Sequence, residues 1–256
     1  MKTEFATQPL GVDQPPQRSG AKIFVWLAWV VYVGYLLLSN FPPGPSLLHT
    51  QPETLQTALD LSLNFGFVMP LLFPAIAPVL NPALEGLFHL VIAWGLLFWG
   101  FMVDGRNQRL PILPFLLGTA FLTNVFYLPW LGVRRSNPEP PTPPLTRLEQ
   151  LGESRFLPIA IIGLAGVALL WAMLARPEWG NLSDRWEALL TLLRSDRLTY
   201  SFVVDLGVFW LFQGWLVSDD MARRKWQNRQ MLWLARLLPF FGLAFYLFKR
   251  PSLEQS

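Results

Sequence analysis

The chain has 256 residues, 52% of them hydrophobic and 14% charged, with a mean hydropathy of +0.35 and a formal net charge of +3. Soluble domains carry about 25% charged residues, and the apolar residues here fall into runs of roughly 17–25, the length that crosses a hydrocarbon core of about 30 Å. The composition therefore excludes a soluble domain and predicts an all-α, polytopic transmembrane helical bundle. Cysteine is absent, which excludes disulfides, zinc–thiolate sites, Cys-bound clusters and thiol catalysis. Two histidines leave little scope for a metal site, and no basic stripe points to nucleic acid.

In chain order, residues 1–21 are polar, contain Pro15 and Pro16, and read as a disordered tail. The membrane domain covers 22–250, with about seven spans. Span 1 is Ile23–Leu38, retained rather than cleaved, followed by a Pro-rich loop. Span 2, Ala58–Leu80, holds Asp60 and Asn64 one helical turn apart. Its Pro70, Pro74 and Pro78 predict a broken, bent or re-entrant segment.

Span 3 is the best-punctuated stretch, NPALEGLFHLVIAWGLLFWGFMVDGR, Asn81–Arg106. Asn81 is a suitable N-cap and Pro82 suits the first helical position. The helix is expected to run to Val103 and to end in a tight turn with Gly105 at positive φ. Span 4 is Ile112–Val133, interrupted by Asn124 and Pro129, and residues 134–155 form a Pro-rich polar loop. Span 5, Phe156–Ala175, carries Gly163 and Gly166, small residues suited to close helix approach. Asn181–Arg194 reads as an interfacial amphipathic helix that Ser183 can cap. Span 6 is Thr199–Val217, span 7 is Met231–Phe248, and 251–256 is a polar tail.

With seven spans, Lys and Arg in the loops place the N-terminus in the cytoplasm and the C-terminus outside. That arrangement leaves Arg106, Arg109 and the arginines around the amphipathic helix outside, against the bias.

Two hairpins echo each other. Phe98–Asp104 and Phe212–Asp219 share Phe-x-Gly-aromatic-apolar-Val followed by an acid. The next spans share Leu-Pro-Phe and Phe-Tyr-Leu, and both close on basic residues, Arg134 and Lys249–Arg250. By parity spans 3 and 6 would cross in opposite directions, giving an inverted two-hairpin repeat of the kind found in transporters.

Ionisable groups inside spans are the candidates for chemistry. Asp205, about 9 Å into span 6, is the foremost; Glu85, His89 and Asp60 follow. Glu85 sits near a helix N-terminus, where a dipole-matching role is the plain alternative. His89 lies one turn deeper and could relay a proton or ligate a tetrapyrrole, which makes it the candidate cofactor ligand. Gln213, Asn124 and Arg236 are candidate interhelical hydrogen-bond partners. Arg223, Arg224 and Lys225 are candidates for lipid headgroups, with interfacial salt bridges to the nearby acids as the alternative.

The hairpin sequences LEGLFHLVIAWGLLFWGFMVDGR and FVVDLGVFWLFQGWLVSDD resemble a family of uncharacterised multi-spanning membrane proteins of cyanobacteria and plastids. A fainter similarity runs to plastid carotenoid-modifying membrane proteins of the neoxanthin-synthesis type. The resemblance implies a photosynthetic, thylakoid-type membrane, with membrane lipids and a photosynthetic complex as partners and pigment or lipid as ligand. It transfers no catalytic motif. Three functions follow as expectations: assembly or pigment/lipid binding, an intramembrane acid–base enzyme on an isoprenoid or carotenoid, or a small-solute or ion transporter.

Overall fold

A computed structural model describes residues 19–41, 43–137, 139, 141 and 144–253; most of the N-terminal tail, residues 1–18, and the end of the C-terminal one lie outside the described residues. All regular structure among them is helical. The α-helices are α1 (Ser19–Leu38), α2 (Pro52–Leu63), α3 (Val68–Leu72), α4 (Pro82–Leu97), α5 (Leu113–Leu122), α6 (Asn124–Val133), α7 (Arg147–Glu153), α8 (Phe156–Leu174), α9 (Leu182–Ser195), α10 (Arg197–Arg223), α11 (Arg229–Leu237) and α12 (Phe241–Lys249).

Among the described residues, four helical segments are long and apolar enough to cross a membrane: Gly20–Leu38, Pro82–Gly105, Phe156–Leu174 and Arg197–Arg223. Their outward faces are hydrocarbon-like. Val31, Leu38, Phe156 and Leu174 are each about 70% exposed, an apolar surface that a soluble monomer does not carry. The core between them is aromatic. Phe98 stacks on Tyr127 at 4.4 Å, and Phe209 meets both rings edge-on at 5.2 Å. Such pairs add about 0.5–1.5 kcal/mol each beyond their buried area.

Contacts fix the direction of each long helix. Phe88 meets Phe202, Phe98 meets Phe209, and Asp104 meets Arg223. Partner numbers rise together, so α4 and α10 are parallel. The helix α8 is antiparallel to both, with Glu85 beside Trp171 and Gly152 beside Trp99. So is α1, which has Trp26 beside Gly132, Tyr32 beside Asp205 and Tyr35 beside Arg197. The end where α4 and α10 finish is called the basic face, and the end where they start, the far face.

Three of the seven predicted spans do not run straight. The 112–133 stretch is an antiparallel pair. α5 descends along α4, with Ile112 against Gly105 and Thr119 against Gly95. Thr123 (φ 48°, ψ −122°) then reverses the chain. α6 climbs back until Arg134, just past its end, bonds Asp104. Ten residues per arm is about 15 Å, half a hydrocarbon core. The 231–248 stretch repeats the device. Phe240 (φ 51°) makes the turn, Gly242 packs on the Leu234 carbonyl, and Arg250 arrives at Asp220.

The 52–80 stretch bends by 44°, at Gly66 and Phe67, both with positive φ. Its two ends meet at the far face, where Glu53 and Asn81 line one cavity. It is bent as expected, but at Gly66–Phe67 rather than at a proline; Pro70 lies within α3.

Seven predicted spans thus reduce to four long helices, because three apolar stretches fold back on themselves. Predicted spans 3 and 6 run the same way, which overturns the inverted relation between them. The N-terminal end of α1 and the C-terminal end of α12 lie at the same face.

Local expectations fare unevenly. Asn81 caps α4 through bonds of 2.8 and 3.3 Å from Ala83 and Leu84 N–H, with Pro82 first in the helix. Beyond Leu97 the helix tightens to 3₁₀ geometry through Gly105. The left-handed residue of the turn is Asn107 (φ 60°), not Gly105, whose missing Cβ instead makes room for Ile112. Asn181, not Ser183, caps α9, with Asp184 completing a capping box.

Candidate functional site

Asp205 sits two turns into α10, 2% exposed. Its Oδ1 accepts two hydrogen bonds of 2.7 Å, from the Tyr32 hydroxyl of α1 and the Asn124 amide of α6. Asn124 also donates to the Asp205 carbonyl at 3.2 Å, which fixes its orientation, and leaves its own Oδ1 buried without a partner. The Thr123 hydroxyl lies 3.4 Å from that of Tyr32. Asn124 begins α6, so the partial positive charge of a helix N-terminus lies beside the carboxylate.

Thr123 holds its turn at a backbone geometry normally left to glycine, at a cost of about 1–3 kcal/mol. Strain of this size, in a β-branched residue beside a buried acid, is the mark of an over-determined site.

Above this cluster, toward the far face, lies a cavity of about 320 Å³ with Tyr32, Thr123 and Asp205 in its wall. Leu36, Leu55, Phe121, Leu122 and Phe202 supply much of its apolar surface. Arg197 also borders it, but its guanidinium serves the fold. Nε donates to the Pro43 carbonyl, Nη1 to Tyr35, and Nη2 to Ser39, Phe41 and Gly44, at 2.7–3.0 Å. It ties the 39–44 loop to α10. Asp196 caps α10 through Thr199.

Glu85 and His89 form a separate centre. Glu85 is fully buried and is more than a helix-end charge. Asn64 donates to its Oε1 at 2.5 Å, and Trp171 (2.8 Å) and Arg176 (3.1 Å) donate to its Oε2. His89 does not touch that carboxylate. Nδ1 faces the Glu85 carbonyl at 2.7 Å and Nε2 the Asn64 carbonyl at 3.1 Å, with the ring stacked on Phe67 at 3.7 Å. Both nitrogens thus face backbone carbonyls, and a neutral ring can donate to only one of them. This centre clamps the bent 52–80 stretch onto α4. Asp60 joins neither centre; it is partly exposed and accepts a bond from Gln56.

The basic face holds a third cluster. Arg134 bonds Asp104 and Asp219; Arg223 bonds Asp104 and Asp220; Arg224 and Arg250 each bond Asp220 and Glu153. Four guanidiniums meet four carboxylates. Arg223 and Arg224 are 1% and 3% exposed, so they are committed to internal pairs and cannot serve headgroups. Lys225 is exposed. Outside this cluster Arg106 grips Glu149 through bonds of 2.6 and 2.7 Å, and that contact draws the Glu149 carboxyl down to about 2.

Of the predicted residues, then, Asp205 and Asn124 come together, and Gln213 is the interhelical partner expected, joining Trp94 to the Ala235 carbonyl. Glu85 and His89 lie in a different clamp. Tyr32 and Thr123 were not singled out by the sequence, where a tyrosine in an aromatic-rich span and a threonine before Asn124 carry no distinguishing signal. No family model, curated protein or solved structure matches this chain. The fold and sites define it as an all-helical protein with four long apolar helices and a buried acid under a cavity.

Proposed function

We propose that this chain is an integral membrane protein that crosses four times and binds a lipid or pigment in the cavity over Asp205. The observation that carries this reading is the cavity itself: about 320 Å³, mainly apolar in its wall, and closed by a hydrogen-bonded acid. Its size falls at the lower end of ligand pockets, which are typically apolar with few placed polar groups. The setting in a photosynthetic membrane, and a role beside one of its complexes, rest on the resemblance of the two hairpin sequences alone.

In this reading the two fold-back pairs are re-entrant hairpins from the basic face. Non-helical backbone at membrane depth is tolerated where protein surrounds it. Thirteen Lys and Arg gather on the basic face, from Lys22 through the 106–109 turn, the 134–155 loop, the 223–229 loop and Lys249–Arg250. Among the described residues, only Arg176, Arg185, Arg194 and Arg197 stand at the far face. That asymmetry supports a basic face in the cytoplasm or its equivalent. The echo between the hairpins then reads as two units related by an axis along the membrane normal. Each has a long helix ending in Asp and a hairpin returning an Arg to it: Arg134 to Asp104, and Arg250 to Asp220. Transport loses the inverted-repeat argument that recommended it.

The test is purification from native membrane with mass spectrometry of bound lipids and pigments. A stoichiometric ligand retained by the native protein and reduced by Leu55→Trp, which fills the cavity, is the expected result. Ligand-free protein from several mild detergents defeats the reading. The second reading, an acid–base enzyme on an isoprenoid, is favoured by Asp205 standing in the cavity wall. It requires Asp205→Asn to abolish turnover of a lipid extract while leaving binding intact.

A further inference from the structure

The cavity over Asp205 is uneven in its chemistry, and the unevenness selects a headgroup. Its deep end offers acceptors. The Asp205 carboxylate stands in its wall, and the bonds from Tyr32 and Asn124 both fall on Oδ1. Several of the donors nearby are already spent, and Gln51, Thr54 and Thr123 add only neutral ones to the wall. Tyr32 and Asn124 donate to Asp205, Ser201 donates to the Leu198 carbonyl, and Thr50 to the Leu47 carbonyl. The bordering cation, Arg197, has Nε, Nη1 and Nη2 all turned to backbone carbonyls. The other ionisable group in the wall is a second acid, Asp196. An anionic head would meet two carboxylates and a cation already committed to carbonyls, whereas a donor head would meet Asp205, whose bonds from Tyr32 and Asn124 leave Oδ2 to accept. Burying a polar group without a partner costs on the order of 1–3 kcal/mol, so the site discriminates by charge and by donor capacity.

The flank of the cavity opens on the apolar surface of the bundle. Leu55, Phe121 and Leu122 line it and are 55%, 70% and 56% exposed. A hydrocarbon chain leaving between them would pass from protein directly into lipid tails.

We infer that the cavity over Asp205 binds a single-chain amphiphile with a hydrogen-bond-donating head, a primary ammonium or a hydroxyl, which enters sideways from the bilayer. The head donates to Asp205, and the tail runs out past Leu55 and Phe121. Carboxylate and phosphate heads are rejected. This rests on the cavity being a lipid-binding site, as proposed above, and adds the class of lipid.

The chain contains no cysteine, so single reporters need no background removal. Ala58→Cys places a thiol in the cavity wall, and Ser183→Cys on exposed α9 is the control. Each variant, in nanodiscs at neutral pH, is labelled with a maleimide in the presence of dodecylamine, 1-dodecanol or dodecanoate. Dodecylamine and dodecanol are expected to slow labelling at 58 about tenfold, dodecanoate not at all, and none to slow it at 183. In the Ala58→Cys background Asp205→Asn should weaken protection by the amine more than by the alcohol, which separates the two heads. Tyr32→Phe, which keeps the carboxylate and removes a competing donor from Oδ1, should strengthen protection by both. That variant serves if Asp205→Asn fails to fold. Equal protection by dodecanoate, protection by none of the three, or loss of protection in Tyr32→Phe overturns the inference. Native lipid retained on purification alongside any of these results would leave lipid binding standing and remove only the headgroup assignment.

Discussion

Glu85 is buried with three donors around it, one of them the guanidinium of Arg176. Removing one partner of a buried pair strands the other and costs about 3–5 kcal/mol. Glu85→Ala should therefore lower stability by that amount, measured by thermal unfolding in detergent, while Asp60→Ala, on a partly exposed acid, should be nearly silent. Glu149 gives the pH counterpart. Arg106 holds its carboxyl down to about 2, below the ordinary value of 4.5. A depressed carboxylate adds stability that is full above its unfolded pKa and is lost as pH falls through the folded one. The Arg106–Glu149 contact should thus weaken between about pH 4.5 and 2, and Glu149→Gln should remove that part of the acid sensitivity in unfolding scans from pH 6 to 2. At this scale the sequence exposed Asp205 by its depth in an apolar helix. It could not rank Glu85, because depth along one helix says nothing about Trp171 and Arg176 arriving from another.

Between elements, close approach is concentrated where α4 meets α8. A Cβ on Gly86 would stand 2.6 Å from the Ala168 carbonyl oxygen and 2.7 Å from the Ala172 Cβ, so a side chain there forces two backbones apart. Gly163 and Gly166, which looked like the contact glycines of the same helix, face open space. Gly86→Ala should destabilise, and Gly86→Leu should do so more strongly. Gly163→Ala and Gly166→Ala should be neutral or add up to about 1 kcal/mol through helix propensity. Thermal unfolding of the four variants distinguishes them. Which glycine is used depends on how the helix is rotated, and a uniformly apolar helix such as α8 carries no stripe from which to read rotation. The fold-back pairs were hidden for a related reason. An apolar run of about 20 residues fits one crossing or two half-crossings equally well, and the local marks were Asn124 and Pro129 in one and Pro239 in the other.

At the scale of the whole chain, those two folds decide topology. Every reversal hidden inside an apparent span changes the parity of all that follows. Seven straight spans put residues 109, 183 and 252 on one side, outside. Four crossings with the 112–133 and 231–248 stretches folded back put 109 and 252 together at the basic face and 183 alone at the far face. The charges argue for the second arrangement, because it gathers Arg106, Arg109, Lys249 and Arg250 with the basic loops instead of leaving them as exceptions. The same parity sets His89, seven residues into α4, and Asp205, eight residues into α10, at similar depth from the far face rather than in opposite halves of the bilayer. Arg109→Cys, Ser183→Cys and Ser252→Cys, each in the Cys-free chain, can be probed with a membrane-impermeant maleimide in intact and opened membrane vesicles. Sites 109 and 252 should react under one condition and 183 under the other. Identical behaviour of all three would restore seven crossings and with them the inverted relation of the two hairpins.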